Sequence, residues 1–191
     1  MTAPPLARLL LLAAALSLGP RAAAQPYSDP GPGVGVFGAS GWWSGQGSAS
    51  PSGGVFGSTR LTGALGLEVS AAFFRTTYAK DGVDALRVTG LPVSVAGFLF
   101  FLHERRVQPY VVLGVGLLWL RSRGEGEAAG ISDSELLLAV QGGAGVQARV
   151  ARRVTAHLDV RFSSTDSQTV SDVIGSRVEA VTVRLGAAWH F

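Results

Sequence analysis

Apolar residues alternate with small or polar residues along most of the chain beyond its N-terminal segment. Counting back from Phe191 in steps of two gives Trp189, Ala187, Leu185 and Val183, all apolar, while the positions between them are small or polar. A period of two places successive side chains on opposite faces of a β-strand. The C-terminal segment is therefore predicted to be a strand with one apolar face and one face suited to a crowded polar interior.

The same alternation recurs in eight segments, which are separated by stretches rich in glycine, serine and charged residues. Short connections follow the second, fourth and sixth segments, and longer ones at 44–52, 76–85, 122–134 and 164–176 follow the others. Outer-membrane barrels have short periplasmic turns and long outer loops. The pattern predicts an all-β fold, an eight-stranded antiparallel up-and-down transmembrane β-barrel. The predicted strands are 33–43, 53–61, 64–75, 86–102, 108–121, 135–150, 154–163 and 177–191.

Composition supports strands over helices as the elements that cross a membrane. The chain of 191 residues is 47% hydrophobic and only 15% charged. Beyond the N-terminal segment, no run approaches the roughly 18–20 consecutive apolar residues that a membrane helix needs. The alternative is a soluble lipocalin-like ligand carrier, whose barrel would turn its large apolar residues inward and expose Glu68, Asp159 and Arg184.

The N-terminal segment has the features of a targeting signal. Arg8 precedes the apolar stretch 9–19, and the small residues 22–24 provide a cleavage site before Gln25. We expect residues 1–24 to be a signal peptide that directs export through the inner membrane, 25–32 to be a short N-terminal segment, and 33–191 to form the barrel.

Charge and cysteine content exclude several classes of protein. The predicted signal peptide holds two of the 16 basic residues, so the rest of the chain is nearly balanced against its 13 acidic residues. Binding of nucleic acid therefore has no support. The absence of cysteine excludes a disulfide scaffold, a thiolate metal site and a lipid-anchored lipoprotein. Three scattered histidines lack metal-ligand spacing, so neither a metal nor a cofactor is expected.

Three segments resemble one known family. The segment 109–116 (PYVVLGVG), the segment 65–69 (LGLEV) and the terminal Trp189-His190-Phe191 are similar to the small eight-stranded outer-membrane β-barrels, which include the OmpA membrane domain and OmpX. The resemblance covers residues 33–191. It implies that Leu185, Trp189 and Phe191 form an assembly signal read by the barrel-assembly machinery.

The inward faces of the predicted strands carry charges at similar heights. Isolated charges in so narrow an interior would be costly, so they should pair. The sequence predicts an interior charge network with two glutamines as neighbours. The network consists of Glu68, His157, Asp159, Arg161 and Arg184, and its neighbours are Gln141 and Gln147.

The predicted network leaves two functions open, a structural plug or a gate that exchanges ion-pair partners to admit small solutes, as the resemblance to the OmpA-type interior suggests. Barrels that deacylate lipid A resemble this size class, and that resemblance implies that catalysis would need a histidine, a serine and an acidic residue at the outer surface. His103, His157 and His190 do not fit this requirement, and no catalytic residue is expected. We expect a non-enzymatic monomer with a structural or loop-mediated surface role.

The two rims differ in predicted charge. The short turns and adjacent strand end hold five arginines, Arg60 among them, against one glutamate, whereas the long loops and the start of the sixth strand hold two basic residues against eight acidic ones. We expect the arginines to meet phospholipid headgroups, and the carboxylates to share divalent cations with lipopolysaccharide phosphates. Aromatic rings near the strand ends should also lie at the headgroups. They are Trp42, Trp43, Phe101, Trp119, Phe162 and Trp189.

Overall fold

The computed structural model describes residues 31–44, 49–80, 83–102, 105–124, 132–165 and 178–191, which form eight strands. The predicted signal peptide at 1–24 lies outside these residues, as does most of the segment 25–32. None of the described residues belongs to a helix long and apolar enough to cross a membrane. The strands are β1 (Gly33–Trp43), β2 (Ser50–Arg60), β3 (Leu65–Lys80), β4 (Val83–Phe100), β5 (Val107–Gly124), β6 (Ser132–Ala151), β7 (Val154–Thr165) and β8 (Val178–His190).

Each strand pairs antiparallel with its neighbours in sequence, and pairing of β1 with β8 closes the sheet. The closing register runs from Gly33 opposite His190 to Trp43 opposite Ala180. Within the closed part of the barrel, this pairing removes the sheet edges and gives backbone N–H and C=O groups partners without water. The predicted eight-stranded antiparallel barrel is confirmed. We call the rim with the connections after β2, β4 and β6 the turn rim, and the opposite rim the distal rim.

Strand length differs around the barrel. β1 and β2 have 11 residues each, whereas β4 and β5 have 18 each and β6 has 20. A tilted strand needs only about 9–11 residues to span a membrane. The sheet from β3 to β6 therefore extends beyond the membrane, and it does so at the distal rim.

This extension corrects two predicted loops. In place of a loop at 76–85, β3 and β4 stay paired as far as Lys80 opposite Val83, and in place of a loop at 122–134, β5 and β6 stay paired as far as Arg123 opposite Ser132. β2 also begins three residues earlier than predicted, at Ser50. Near the distal rim the polarity of the faces inverts, because arginine and threonine point outward while apolar residues point inward. A strand end predicted from the last apolar outward residue therefore falls too early there.

The outward face carries most of the large apolar side chains. Leu113, Leu138 and Leu185 are 73%, 68% and 64% exposed, respectively. Glu68, Asp159 and Arg184 are buried. A lipocalin-like carrier would have the reverse arrangement, so that alternative is wrong.

The interior is more apolar than the alternation in the sequence predicts, because two hydrophobic clusters fill it. In the cluster nearer the distal rim, Trp43 stacks on Phe74 with ring centroids 4.3 Å apart. The prediction that Trp43 lies at the headgroups is therefore wrong. Small residues on the neighbouring strands leave room for these rings. The distal cluster consists of Phe74, Leu86, Val88, Leu118 and Leu120, with Trp43, Leu137 and Ala139 packed against it. The turn-side cluster consists of Ala96, Phe98, Phe100, Tyr110 and Val112.

Candidate functional site

Four buried charges form a neutral layer across the barrel between the two hydrophobic clusters. Glu68 Oε1 lies 3.2 Å from Arg161 Nη2 in an ion pair and accepts a hydrogen bond from Arg184 Nη1 at 3.3 Å. Asp159 Oδ1 lies 3.0 Å from Arg161 Nε and 3.9 Å from Arg184 Nε. The structure thus brings these four predicted residues together, and we call them the ion layer. Two carboxylates and two guanidinium groups balance in charge, which limits the cost of burying them.

Strand register explains why these side chains meet. Asp159 on β7 lies directly opposite Arg184 on β8, and Arg161 is the next inward residue of β7. Glu68 reaches the same layer from β3, which is not a neighbour of either strand. The ion layer therefore links opposite walls of the barrel across its interior.

Tyr110 is a member of this site that sequence reasoning missed. Its hydroxyl donates to Asp159 Oδ2 at 2.8 Å, although one strand separates β5 from β7. Gly145 of β6 lies opposite both residues, and the lack of a side chain there lets the tyrosine reach past. The sequence does show that Tyr110 and Gly145 point inward. It does not show the strand register that places them opposite each other.

The guanidinium groups also pack on aromatic rings. The Arg184 guanidinium carbon lies 3.9 Å from the centroid of the Phe37 ring, and that of Arg161 lies 5.6 Å from the Phe98 centroid. Such contacts are favourable when the cation is removed from water. They hold each arginine in a fixed position relative to the barrel wall.

His157 was predicted in the network, but it contacts a hydroxyl on the turn side of the ion layer instead. Thr155 Oγ1 lies 3.1 Å from His157 Nε2 and 2.9 Å from His190 Nε2. His190 Nδ1 lies 2.9 Å from the carbonyl oxygen of Gly31, so Nδ1 is the protonated nitrogen and Nε2 accepts from the threonine. Within the described residues, no group of His, Asp or Glu is placed to hold a metal ion. His103 lies outside the described residues.

The Arg60 side chain packs against the protein, so the expectation that it meets lipid headgroups is wrong. Its guanidinium carbon lies 3.3 Å from the centroid of the Phe100 ring, and it donates to the carbonyl of Gly63 at 2.8 Å and to the side chain of Gln108. The arginine folds back over the aromatic ring of the turn-side cluster. It therefore seals the interior near the turn rim.

Two cavities lie on either side of the ion layer. The distal one, of about 120 Å³, is lined by Arg161, Arg184 and Gln141, and the turn-side one, of about 20 Å³, is lined by Glu68 and His157. Gln141 Nε2, Arg161 Nη1 and Arg184 Nε are buried without a hydrogen bond to the protein, since the 3.9 Å contact of Arg184 Nε with Asp159 is too long for one. The distal cavity is large enough for several water molecules. Water there would satisfy these donors.

The residues implied as an assembly signal lie on the outward side of the closing strand. Leu185, Trp189 and Phe191 are 64%, 50% and 75% exposed, respectively. Their side chains are accessible to lipid or to another protein. Gln147, a predicted neighbour of the network, is buried.

A closed barrel with an apolar outer band and a packed, charged interior defines an integral outer-membrane β-barrel protein. The chain belongs to the family described as "outer membrane protein beta-barrel domain", whose model matches residues 9–191.

Solved structures with similar folds are small outer-membrane barrels. Neisserial surface protein A has a TM-score of 0.63 at 15% identity, covering 86% of this chain and 100% of its own. Ail of Yersinia pestis has 0.56 at 17% identity with the same coverage, and OprG of Pseudomonas aeruginosa has 0.60 at 12%, covering 85% and 97%. At these identities the similarity concerns the fold. A search of curated proteins by sequence finds no match.

Proposed function

We propose that the protein is a non-enzymatic outer-membrane barrel that conducts no ions and acts through the surface that it presents at its distal rim. The observation that carries the proposal is the filled interior. Between the rims, the ion layer is flanked by one hydrophobic cluster on each side. A solute crossing the barrel would have to pass all three.

The ion layer and the clusters oppose conduction for different physical reasons. Separating one charge of a buried pair costs about 3–5 kcal/mol, because the other charge is left uncompensated. Apolar constrictions exclude water and with it hydrated ions. The distal cluster contributes such a constriction, with Leu86, Val88 and Leu120 almost fully buried.

A surface role is supported by the part of the barrel that extends beyond the membrane. β3 to β6 are five to nine residues longer than β1, and the excess lies at the distal rim. A solved complex of Ail of Yersinia pestis with the heparin analogue sucrose octasulfate has a fold similar to this one. A barrel of this fold can thus bind a saccharide polyanion, which fits a role in surface interactions.

The absence of catalysis is part of the proposal. His157 and His190 are turned inward onto Thr155, where a lipid substrate outside the barrel does not reach. Neither histidine lies beside a serine and a carboxylate on the outward face. Among the residues that the structure describes, these two histidines thus activate no outward nucleophile for acyl transfer.

A gated pore is the second candidate function, and one observation favours it. The ion layer separates two cavities, and Arg161 and Arg184, which both line the larger one, each keep a nitrogen atom without a hydrogen bond to the protein. An arginine with a spare donor could exchange one carboxylate for water or solute. The gate would open if such an exchange joined the two cavities.

Planar-bilayer recordings test both candidates. We expect the refolded wild type and Arg184→Ala to be electrically silent, with Arg152→Ala at the exposed turn rim as the control. Heat-modifiable migration on a denaturing gel confirms that each variant is folded. Conductance in Arg184→Ala alone would favour the gate, and steady conductance in the wild type would contradict the proposed function. Unchanged acyl-chain masses of lipid A in cells with and without the protein are expected from a non-enzyme.

A further inference from the structure

The outward face of β3, β4 and β5 changes from apolar to basic within one step toward the distal rim. The last apolar residues on this face are Phe73, Leu91 and Trp119, which are 54%, 42% and 45% exposed, respectively. The next two outward positions on each of the three strands hold four arginines and two threonines in all. They are Arg75, Thr77, Arg87, Thr89, Arg121 and Arg123.

Strand register gathers the four arginines into one patch. Arg75 and Arg121 flank Thr89 from its two sides, because both lie opposite that residue. One step further out, Arg87 lies directly opposite Arg123. We call Arg75, Arg87, Arg121 and Arg123 the arginine patch.

The side chains next to the arginine patch can also donate hydrogen bonds. On the neighbouring strand β6, Ser134 lies opposite Arg121 and Ser132 lies opposite Arg123. Among the outward side chains that the structure describes in these two rows, none is acidic. The described acidic residues of β6, Asp133 and Glu135, alternate with these serines and lie on the inward face of the strand. The patch therefore presents a surface of guanidinium and hydroxyl groups.

The depth of the arginine patch follows from the apolar band beneath it. Five successive outward residues are apolar on β3, from Leu65 to Phe73, and on β5, from Val111 to Trp119. Eight residue steps of about 3.4 Å along a tilted strand correspond to a band of about 20 Å, close to the apolar height of outer-membrane barrels. The patch begins where this band ends, so it lies at the headgroups of the outer leaflet.

We propose that the arginine patch binds the phosphate groups of lipopolysaccharide directly. Guanidinium groups form paired hydrogen bonds with phosphate oxygens, and the adjoining hydroxyl groups donate further ones. Direct binding by arginine differs from the cation-bridged contact through loop carboxylates, which stays a separate prediction. The proposal rests on the outer-membrane location and is independent of whether the barrel conducts.

A lipid fits this surface better than a soluble polyanion does, because the patch continues into the lipid-facing band. Trp119 and Arg121 are consecutive outward residues of β5, as are Phe73 and Arg75 of β3. A ligand that covers both kinds of residue needs acyl chains below and phosphates above. Lipopolysaccharide of the outer leaflet has both.

Binding of fluorescent lipopolysaccharide to the refolded protein in nanodiscs tests the proposal. The variant is Arg121→Gln with Arg123→Gln, and the matched control is Arg152→Gln with Arg153→Gln, which removes the same charge from exposed positions at the turn rim. We expect the first variant to bind about tenfold more weakly, since each arginine near a charged membrane surface contributes appreciably. The control should bind like the wild type. Affinity should also fall when the lipid is dephosphorylated.

Three results would overturn the proposal. Equal affinity for phosphorylated and dephosphorylated lipid would mean that phosphate is not recognised. Equal weakening in both variants would mean that only net charge matters. Tighter binding of a soluble sulfated saccharide than of the lipid, lost in the Arg121→Gln and Arg123→Gln variant, would assign the patch to a soluble polyanion. Heat-modifiable migration establishes that both variants are folded, and a conductance result has no bearing on any of these outcomes.

Discussion

Glu68 is the residue on which the ion layer depends most. It forms ion pairs with both arginines and is contributed by a strand remote from the other three members. Without it, one carboxylate would face two guanidinium groups. The balance of charge in the interior thus rests on a single side chain of β3.

Replacing Glu68 with glutamine is expected to lower the free energy of unfolding by about 3–5 kcal/mol, because a buried positive charge loses its partner. Urea unfolding in detergent or lipid measures the change. Arg152→Gln, at an exposed position of the turn rim, should stay within about 0.5 kcal/mol of the wild type.

A double variant separates the charge effect from lost packing. Glu68→Gln combined with Arg184→Gln removes one charge of each sign, so it should be less destabilised than the sum of its single variants, by about 0.5–3 kcal/mol. Strict additivity would mean that the two side chains do not interact in the folded barrel.

The sequence was sufficient to predict which side chains of the ion layer point inward, since a period of two determines the face of each residue. It was insufficient for their partners, which depend on register between strands distant in sequence. Tyr110 reaches Asp159 only because Gly145 lies between them. Likewise, Arg60 folds inward because its guanidinium group packs on the Phe100 ring. The alternation of residues along one strand does not predict this contact.

At the scale of the strand, β4 illustrates how interior packing uses glycine. Gly90 lies beneath the Phe74 ring, and a side chain there would overlap the ring and crowd Leu120. The same strand carries Gly97, which faces outward; a Cβ atom added there would lie 4.0 Å from the carbonyl oxygen of Leu113, an ordinary contact distance. The two glycines therefore have different roles.

Gly90→Val is expected to destabilise the barrel by about 1–3 kcal/mol through overpacking of the distal cluster. Gly97→Val is the matched control and should be near neutral, because its side chain would extend into lipid. Urea midpoints of the two variants measure the difference. Equal midpoints would show that Phe74 moves aside without cost.

The ends of the long strands were the least predictable part of the fold. The alternation of β3 continues past Phe73, but its outward residues become Arg75 and Thr77 while Thr76 remains buried. A pattern based on apolar outward residues reads this change as the end of the strand. The physical cause is a change of surroundings at the membrane surface, which alters residue type without altering backbone pairing.

For the whole molecule, the alternation and the order of short and long connections were enough to predict the closed barrel. The function was not predictable to the same degree, since the surface roles of barrels depend on a few side chains at the rims. The arginine patch illustrates this, because Arg75, Arg87 and Arg121 were assigned to strands and left out of the count of rim charges.

The proposed assembly signal leads to a prediction for biogenesis. Phe191→Ala should reduce severalfold the amount of folded barrel in the outer membrane of cells, whereas its refolding into lipid vesicles should match the wild type. Leu113→Ala is the control, because Leu113 and Phe191 are similarly exposed at 73% and 75%. Quantification of the heat-modifiable band measures both. If both variants lost the same amount of folded barrel in cells, Phe191 would act only as an ordinary lipid contact.

The unequal strand lengths give the molecule a front and a back within the plane of the membrane. The tall wall of β3 to β6 carries the arginine patch on its outside and the distal cluster on its inside, while β1, β2, β7 and β8 are shorter. If the tall wall is held by lipopolysaccharide, neighbouring proteins meet the low wall first. The two sides of each copy would then be unequally available within the plane of the membrane, and contacts between copies or with other barrels would form in a preferred orientation.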